Sequence, residues 1–94
     1  MNIERIEQGT KGAFIIQEHD KRVAEMTYSK AGDNLIIIDH TEVSDSLRGT
    51  GAGKQLVTAA VNYAREKNIK ILPLCPFAKS VFDRNPAFAD VLSK

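Results

Sequence analysis

The residues best suited to chemistry lie together in Ser46-Leu47-Arg48-Gly49-Thr50-Gly51-Ala52-Gly53-Lys54. Glycines at 49, 51 and 53 strip side-chain bulk from the backbone, and each carries an entropic penalty on folding that a plain turn does not require. If a helix starts here, its first N–H groups have no internal partner and carry a partial positive charge. That combination favours an exposed anion by roughly 0.3 to 1 kcal/mol per charge. Arg48 and Lys54 add to it, so a phosphate group is the natural ligand. The competing reading is a tight turn that only starts a helix.

Two familiar phosphate loops can be tested against the segment. The Walker pattern of Gly, four residues, Gly-Lys and Ser or Thr fails twice. Counting back from Gly53-Lys54 puts Arg48 where the first glycine belongs, and Gln55 replaces the hydroxyl residue that would hold magnesium. The dinucleotide pattern Gly-x-Gly-x-x-Gly fails as well, ending on Lys54 when started at Gly49 and on Leu56 when started at Gly51.

The elements around this turn follow from apolar spacing. Gly53, Leu56, Val57, Ala60, Val61 and Ala64 recur at i, i+3, i+4, i+7, i+8 and i+11, which predicts a helix from about Gly51 to Lys67. Before it, Leu35 to Val43 is rich in β-branched residues and apolar on both faces over its first half, as a central strand is. After it, Ile69 to Cys75 is a second short strand, in which Pro73 must sit at an edge or a bulge. Strand, helix and strand in this order form a right-handed unit with parallel strands, and the helix N-terminus emerges at the strand ends where ligands bind. Upstream, Asn2 to Gln8 and Ala13 to Ile16 flank the turn Gly9-Thr10-Lys11-Gly12 as a hairpin. His19-Asp20-Lys21 is a further break, which makes His19 a turn residue, and Ala24, Met26 and Tyr28 then alternate with Val23, Glu25 and Thr27 as a third strand. Downstream, a short helix is expected near Ala78 to Arg84, interrupted by Asn85-Pro86 and followed by another helical turn. The expected fold class is therefore mixed α/β: antiparallel N-terminal strands, a strand-helix-strand unit and short C-terminal helices.

The whole chain narrows the function further. Its 94 residues suit one domain, 1–94, with no linker, repeat or low-complexity tract. Thirteen basic and twelve acidic residues leave a formal charge of +1, too little to hold a nucleic-acid backbone, so any anion site must be local. The longest apolar run, Leu35 to Ile38, is far below the roughly 18 residues that span a bilayer, and no secretory leader is evident. With Cys75 as the only cysteine no internal disulfide can form. A cytoplasmic location is expected, with no membrane or nucleic-acid partner. Cys75, His19 and His40 lack the spacing of a zinc site, so no metal is expected.

A third pattern does fit the turn. Val43 to Gly53 resembles the coenzyme-A signature of the GNAT acetyltransferase superfamily, Arg/Gln-x-x-Gly-x-Gly/Ala, with Arg48, Gly51 and Gly53 in its places, a strand before it and an amphipathic helix after it. The resemblance covers about Asp39 to Phe88, and Leu74-Cys75-Pro76-Phe77 followed by Lys79 is similar to a short, single-domain branch of that superfamily. It implies a GNAT-like mixed sheet that binds acetyl-CoA. Main-chain N–H groups of Leu47, Arg48, Gly49, Thr50, Gly51, Ala52, Gly53 and Lys54 would cradle the pyrophosphate. The main chain of Thr41, Glu42 and Val43 would pair with the pantetheine arm in a V-shaped opening between the two parallel strands. Two departures stand out. Fuller members carry further N-terminal helices that shape the acceptor pocket, whereas this chain runs from hairpin to strand. Phe82 also occupies the place where many members have a tyrosine that protonates the departing thiolate.

Under that resemblance Cys75 is a candidate acetyl acceptor, or a proton donor in place of the tyrosine, against the plainer reading of a small buried hydrophobe. His40 alternates with Ile36 and Ile38 and is a candidate general base for an amine or for Cys75, against a satisfied sheet histidine. Glu42 and Asp39 are rival bases, more often simply solvated. Lys79 and Arg84 could reach the coenzyme phosphates and Asn85 the pantetheine, although surface charges and helix-ending asparagines are common. The expected function is an acetyl-CoA-dependent N-acetyltransferase acting on an amine of a small molecule or protein, directly or through Cys75, as a monomer or weak dimer. The alternatives are a coenzyme-A-binding module without turnover and a protein-interaction domain whose glycine turn is purely structural.

Overall fold

Alternating burial builds the sheet outward from its third strand. The computed structural model describes residues 2–93; Met1 and Lys94, the ends of the expected 1–94 unit, lie outside the described residues. Strand β3 (Lys21–Lys30) buries Ala24, Met26 and Tyr28 on one face, as their alternation predicts. It pairs antiparallel with β2 (Lys11–Glu18), a longer strand than the expected Ala13–Ile16, and β2 pairs with β1 (Ile3–Gln8). On its other side β3 pairs antiparallel with β4 (Leu35–Val43), and β4 pairs parallel with β5 (Lys70–Pro73). The five strands therefore lie in sequence order, the last pair joined by the crossover helix.

Strand β5 is shorter than the expected Ile69 to Cys75, for a reason visible in the backbone. The N–H groups of Leu74 and Cys75 both bond the carbonyl of Ile38, at 3.1 and 3.2 Å, so the chain turns off the sheet there. Pro73, without an N–H, closes β5 on an outer strand.

Helix α1 (Ala52–Lys67) buries Gly53, Leu56, Val57, Ala60, Val61 and Ala64, the face that the spacing predicts. Gly51 caps it at φ 79°, in the left-handed region that other residues enter at a penalty of about 1 to 2 kcal/mol. Helix α2 (Pro76–Arg84) starts two residues before the expected Ala78, because proline is at ease in a first turn where its missing N–H is no loss. A 3-10 segment (Pro86–Val91) follows, and Ser93 donates to the carbonyl of Ile71 at 2.8 Å. The core between sheet and helices is filled by Met26, Ile36, Ile38, Leu56, Val61 and Ile71, all essentially solvent-free. Truncating one of the larger aliphatic groups there would remove about 2 to 5 kcal/mol. No helix among the described residues is long and apolar enough to cross a membrane.

One irregularity shapes the site. Along β4 the register runs from Ile36 opposite Lys30 to Ile38 opposite Tyr28, then jumps so that His40 faces Thr27 and Thr41 faces Met26. Asp39 is the extra residue of a β-bulge, and a bulge shifts every later side chain to the other face.

Candidate functional site

The turn between β4 and α1 uses some of its own donors and leaves others open. A short 3-10 turn (Asp45–Leu47) opens it, with Ser44 as its cap. Within the turn Leu47 N–H bonds Ser44 O at 3.0 Å, Arg48 N–H bonds Asp45 O at 3.1 Å, and Thr50 N–H bonds Leu47 O at 3.1 Å. The Thr50 hydroxyl donates to that same carbonyl at 2.6 Å. The N–H groups of Gly49, Gly51, Ala52, Gly53 and Lys54 have no acceptor among the described residues; the next N–H, of Gln55, closes the first helical bond on Gly51 O at 3.0 Å. The expected cradle of every N–H from Leu47 to Lys54 is thus narrower, since Leu47, Arg48 and Thr50 are engaged in folding the turn itself.

These open donors line a cleft of about 560 Å³. Gly49, Gly51, Ala52 and Gly53 form one wall, Phe77, Val81, Arg84 and Asn85 of α2 form the other, and Val43 and Leu47 close the β4 end. The two walls meet where Gly53 lies against the Phe77 ring: a Cβ at position 53 would overlap it. Gly53 thus lets the Phe77 ring pack against α1 in this position. Arg48 and Lys54 stand at the cleft with Arg84. Arg48 is exposed and pairs with Asp45 at 3.1 Å, a surface contact of small energetic weight.

Beyond Ile38, β4 runs on with β3 alone. Its pairing with β5 ends at Ile38 and Pro73, so the edge from Asp39 to Val43 has no strand neighbour on the β5 side among the described residues. An opening between the two parallel strands is what the resemblance implies at this place. The bulge decides which side chains enter it. Thr41 takes the core-facing position opposite Met26, and its hydroxyl lies 3.4 Å from the Cys75 thiol. His40, expected in phase with Ile36 and Ile38, is turned to the opposite face, where its Nε2 lies 3.4 Å from Glu42 in solvent. His40 and Cys75 are therefore not brought together; Thr41 and Cys75 are. The sequence offers no signal for the bulge, because Asp39-His40-Thr41-Glu42 has no apolar alternation to betray the change of phase.

Cys75 is buried and caps α2, where the open end of a helix favours negative charge. Burial pushes its thiol up, but hydrogen bonds from the Thr41 hydroxyl and from the main chain of Ala78, Phe77 and Thr41 more than offset it. The net result is a thiol below its ordinary value of 9.0. The remaining expected residues separate. Asp39 accepts from the Ser29 hydroxyl at 3.0 Å on the outer face, and Lys79 pairs with Asp83 at 3.4 Å outside the cleft. Asn85 lines the cleft while its amide donates to Val81 O at 2.6 Å. Phe82 is buried in edge contact with Phe88, ring centres 6.1 Å apart, and is not part of the cleft wall. The sequence reading missed Phe77 and Val81 as lining residues. Their i, i+4 spacing with Asn85 was visible, but a face so placed reads equally well as core.

Comparison with known proteins bears on the family and the fold. A family model described as GCN5-related N-acetyl-transferase matches residues 13–91. Protein NATD1 from Homo sapiens is 29% identical over 89 aligned residues, covering 81% of this chain and 79% of its own, and the chain spans 60% of the Gallus gallus protein of that name at 32% identity. Among solved structures, a GCN5-like protein from Staphylococcus aureus superposes with a TM-score of 0.74 at 41% identity, covering 98% of this chain and 89% of that one. The aminoglycoside N-acetyltransferase AAC(6')-Iy, solved in complex with CoA, shares the fold with a TM-score of 0.57 at 15% identity, over 86% of this chain and 68% of its own.

Proposed function

Because the chain belongs to the GCN5-related N-acetyltransferase family, we propose that residues 1–94 form a single acetyl-CoA-binding domain that passes the acetyl group to an amine. The observation that carries this reading is the row of unengaged N–H groups at Gly49, Gly51, Ala52, Gly53 and Lys54, opening into a cleft beside an unpaired strand edge. A diphosphate fits the first feature, since oriented main-chain donors at a helix start are a ready anion site. An extended arm with amide groups fits the second, because a free strand edge offers the donors and acceptors that another strand would use. The complex of AAC(6')-Iy with CoA supports the same ligand on a shared fold.

When bound, acetyl-CoA supplies an activated acetyl group as a thioester. The protein's part is to hold the two ends of that ligand and to manage protons. The open N–H groups of Gly49, Gly51, Ala52, Gly53 and Lys54 orient the phosphates, with Arg48 and Lys54 adding charge, while the main chain of Thr41, Glu42 and Val43 pairs with the arm. Cys75, whose thiol the Thr41 hydroxyl and nearby main chain bring below its ordinary value, has two roles open to it. As a nucleophile it attacks the thioester carbonyl; the Cys75 S–C bond forms as the coenzyme C–S bond breaks, and the coenzyme sulfur leaves with the electron pair and takes up a proton. An amine then displaces Cys75 and loses its own proton to solvent. As an acid, the Cys75 thiol instead gives its proton to the departing sulfur while the amine attacks directly. Mass spectrometry after mixing with excess acetyl-CoA separates the two: an acetyl adduct on Cys75 is expected of the first route only.

A second reading, coenzyme-A binding without turnover, is favoured by one observation: Phe82, buried against Phe88, offers no hydroxyl to the departing sulfur. His40 and Glu42, solvated on the outer face, would act as bases only for an amine arriving from that side. Release of free coenzyme thiol in the presence of a panel of primary amines tests turnover. Amine-dependent release is expected; saturable binding with no release from any amine would leave the binding module.

A further inference from the structure

The cations of the cleft are not equivalent. Arg48 faces Asp45, whereas Lys54 and Arg84 have no carboxylate within ion-pair distance among the described residues. On α2 the neighbouring cation, Lys79, is neutralised by Asp83 and lies outside the cleft. Arg84 has only the Ser80 hydroxyl, at 3.4 Å, and Ser80 itself donates to Phe77 O. Helix α2 borders the cleft through Phe77, Val81 and Arg84, and Arg84 lies a rise of about 14 Å, at 1.5 Å per residue, beyond Cys75, which caps the helix. Arg84 thus stands on the wall opposite the glycine turn, at the other end of α2 from the thiol.

Resting on the reading that acetyl-CoA occupies this cleft, we propose that Arg84 is a specificity-determining residue that binds the 3'-phosphate of the coenzyme. The donors of the glycine turn, with Arg48 and Lys54 beside them, suffice for the two phosphates of the bridge. The monoester on the ribose is then the remaining anion, and it needs a cation from elsewhere. Arg84 answers that need on three counts: a planar guanidinium suits a phosphate better than a point charge does, no carboxylate competes for it, and it borders the same cleft from the other helix. The site therefore discriminates coenzyme A from its 3'-dephospho form.

The test is calorimetric titration of wild-type protein and Arg84→Gln with coenzyme A and with 3'-dephospho-coenzyme A. Wild type should bind the dephospho form roughly tenfold more weakly, and Arg84→Gln should lose about the same factor for coenzyme A while its affinity for the dephospho form stays within twofold. Amide spectra of the variant check that the fold is kept, and Arg84→Lys should recover part of the discrimination. An equal loss for both ligands would put Arg84 on the diphosphate, and no loss for either would remove it from the site; both results overturn the proposal. Failure of wild type to bind either ligand would instead remove the acetyl-CoA reading on which it rests.

Discussion

At the start of α1, main-chain donors lack acceptors beside a cleft, whereas near the other end of the sheet a cluster of polar side chains bonds within itself. There the buried Tyr28 hydroxyl donates to Glu7 at 2.8 Å and accepts from Arg5 at 3.1 Å; Lys30 reaches Glu7 at 3.3 Å, and Arg5 lies 4.3 Å over the Tyr63 ring. Burial, with the Glu7 carboxylate beside it, pushes the Tyr28 phenol up to about 12. No buried side-chain nitrogen or oxygen lacks a partner among the described residues. The bonds within this cluster tie β1 and β3 together, and the Arg5–Tyr63 contact adds α1. An unsaturated row of donors beside a cleft has the opposite character.

Four changes would break or sharpen this contrast. The largest effect should come from Gly53→Val, which drives a side chain into the Phe77 ring and closes the cleft wall. Acetyl-CoA affinity measured by calorimetry should fall by about a hundredfold or more, equivalent to the loss of charge-assisted contacts to the phosphates. Tyr28→Phe should do the reverse, lowering stability by about 1 to 2 kcal/mol in urea melts by leaving Glu7 and Arg5 each short of a partner, with acetyl-CoA affinity unchanged. Thr41→Val removes a hydroxyl that favours the Cys75 thiolate. Alkylation of Cys75 by iodoacetamide at neutral pH should slow by roughly two- to fivefold, with its pH profile moved to higher pH, and Thr41→Ser should restore it.

The smallest effect concerns acid. The Tyr28 hydroxyl, and after it Lys30 and Arg5, hold Glu7 below the ordinary value of 4.5 against the opposing effect of burial. A carboxylate lowered in the folded state contributes stability that is present above its unfolded value and lost as pH falls through the folded one. Melting temperature should therefore drop below about pH 4.5 by less in Glu7→Gln than in wild type, and acetyl-CoA binding at neutral pH should not distinguish the two.

Most of the architecture was legible in the residues. The spacing of Leu56, Val57, Ala60, Val61 and Ala64 marked the buried face of α1, and the alternation of Ala24, Met26 and Tyr28 marked that of β3. Gly49, Gly51 and Gly53 marked the turn, because few local structures need so many glycines so close. Three things were not legible. The bulge at Asp39 lies in a polar run without periodicity, so the residues alone do not fix which face His40 takes. The internal bonds of Leu47, Arg48 and Thr50 depend on turn geometry, which the residue types do not fix. The Arg5–Glu7–Tyr28 cluster joins residues far apart in sequence, and each reads singly as a surface charge or a strand aromatic.

The central claim is that the open donors of the glycine turn receive the phosphates of acetyl-CoA. An amide chemical-shift titration of the full chain with acetyl-CoA tests it most directly. Saturable shifts should concentrate at Gly49, Gly51, Ala52, Gly53 and Lys54 and extend to Thr41 and Cys75, with Arg5, Glu7 and Tyr28 still. Shifts scattered over the sheet, or none that saturate, would contradict it.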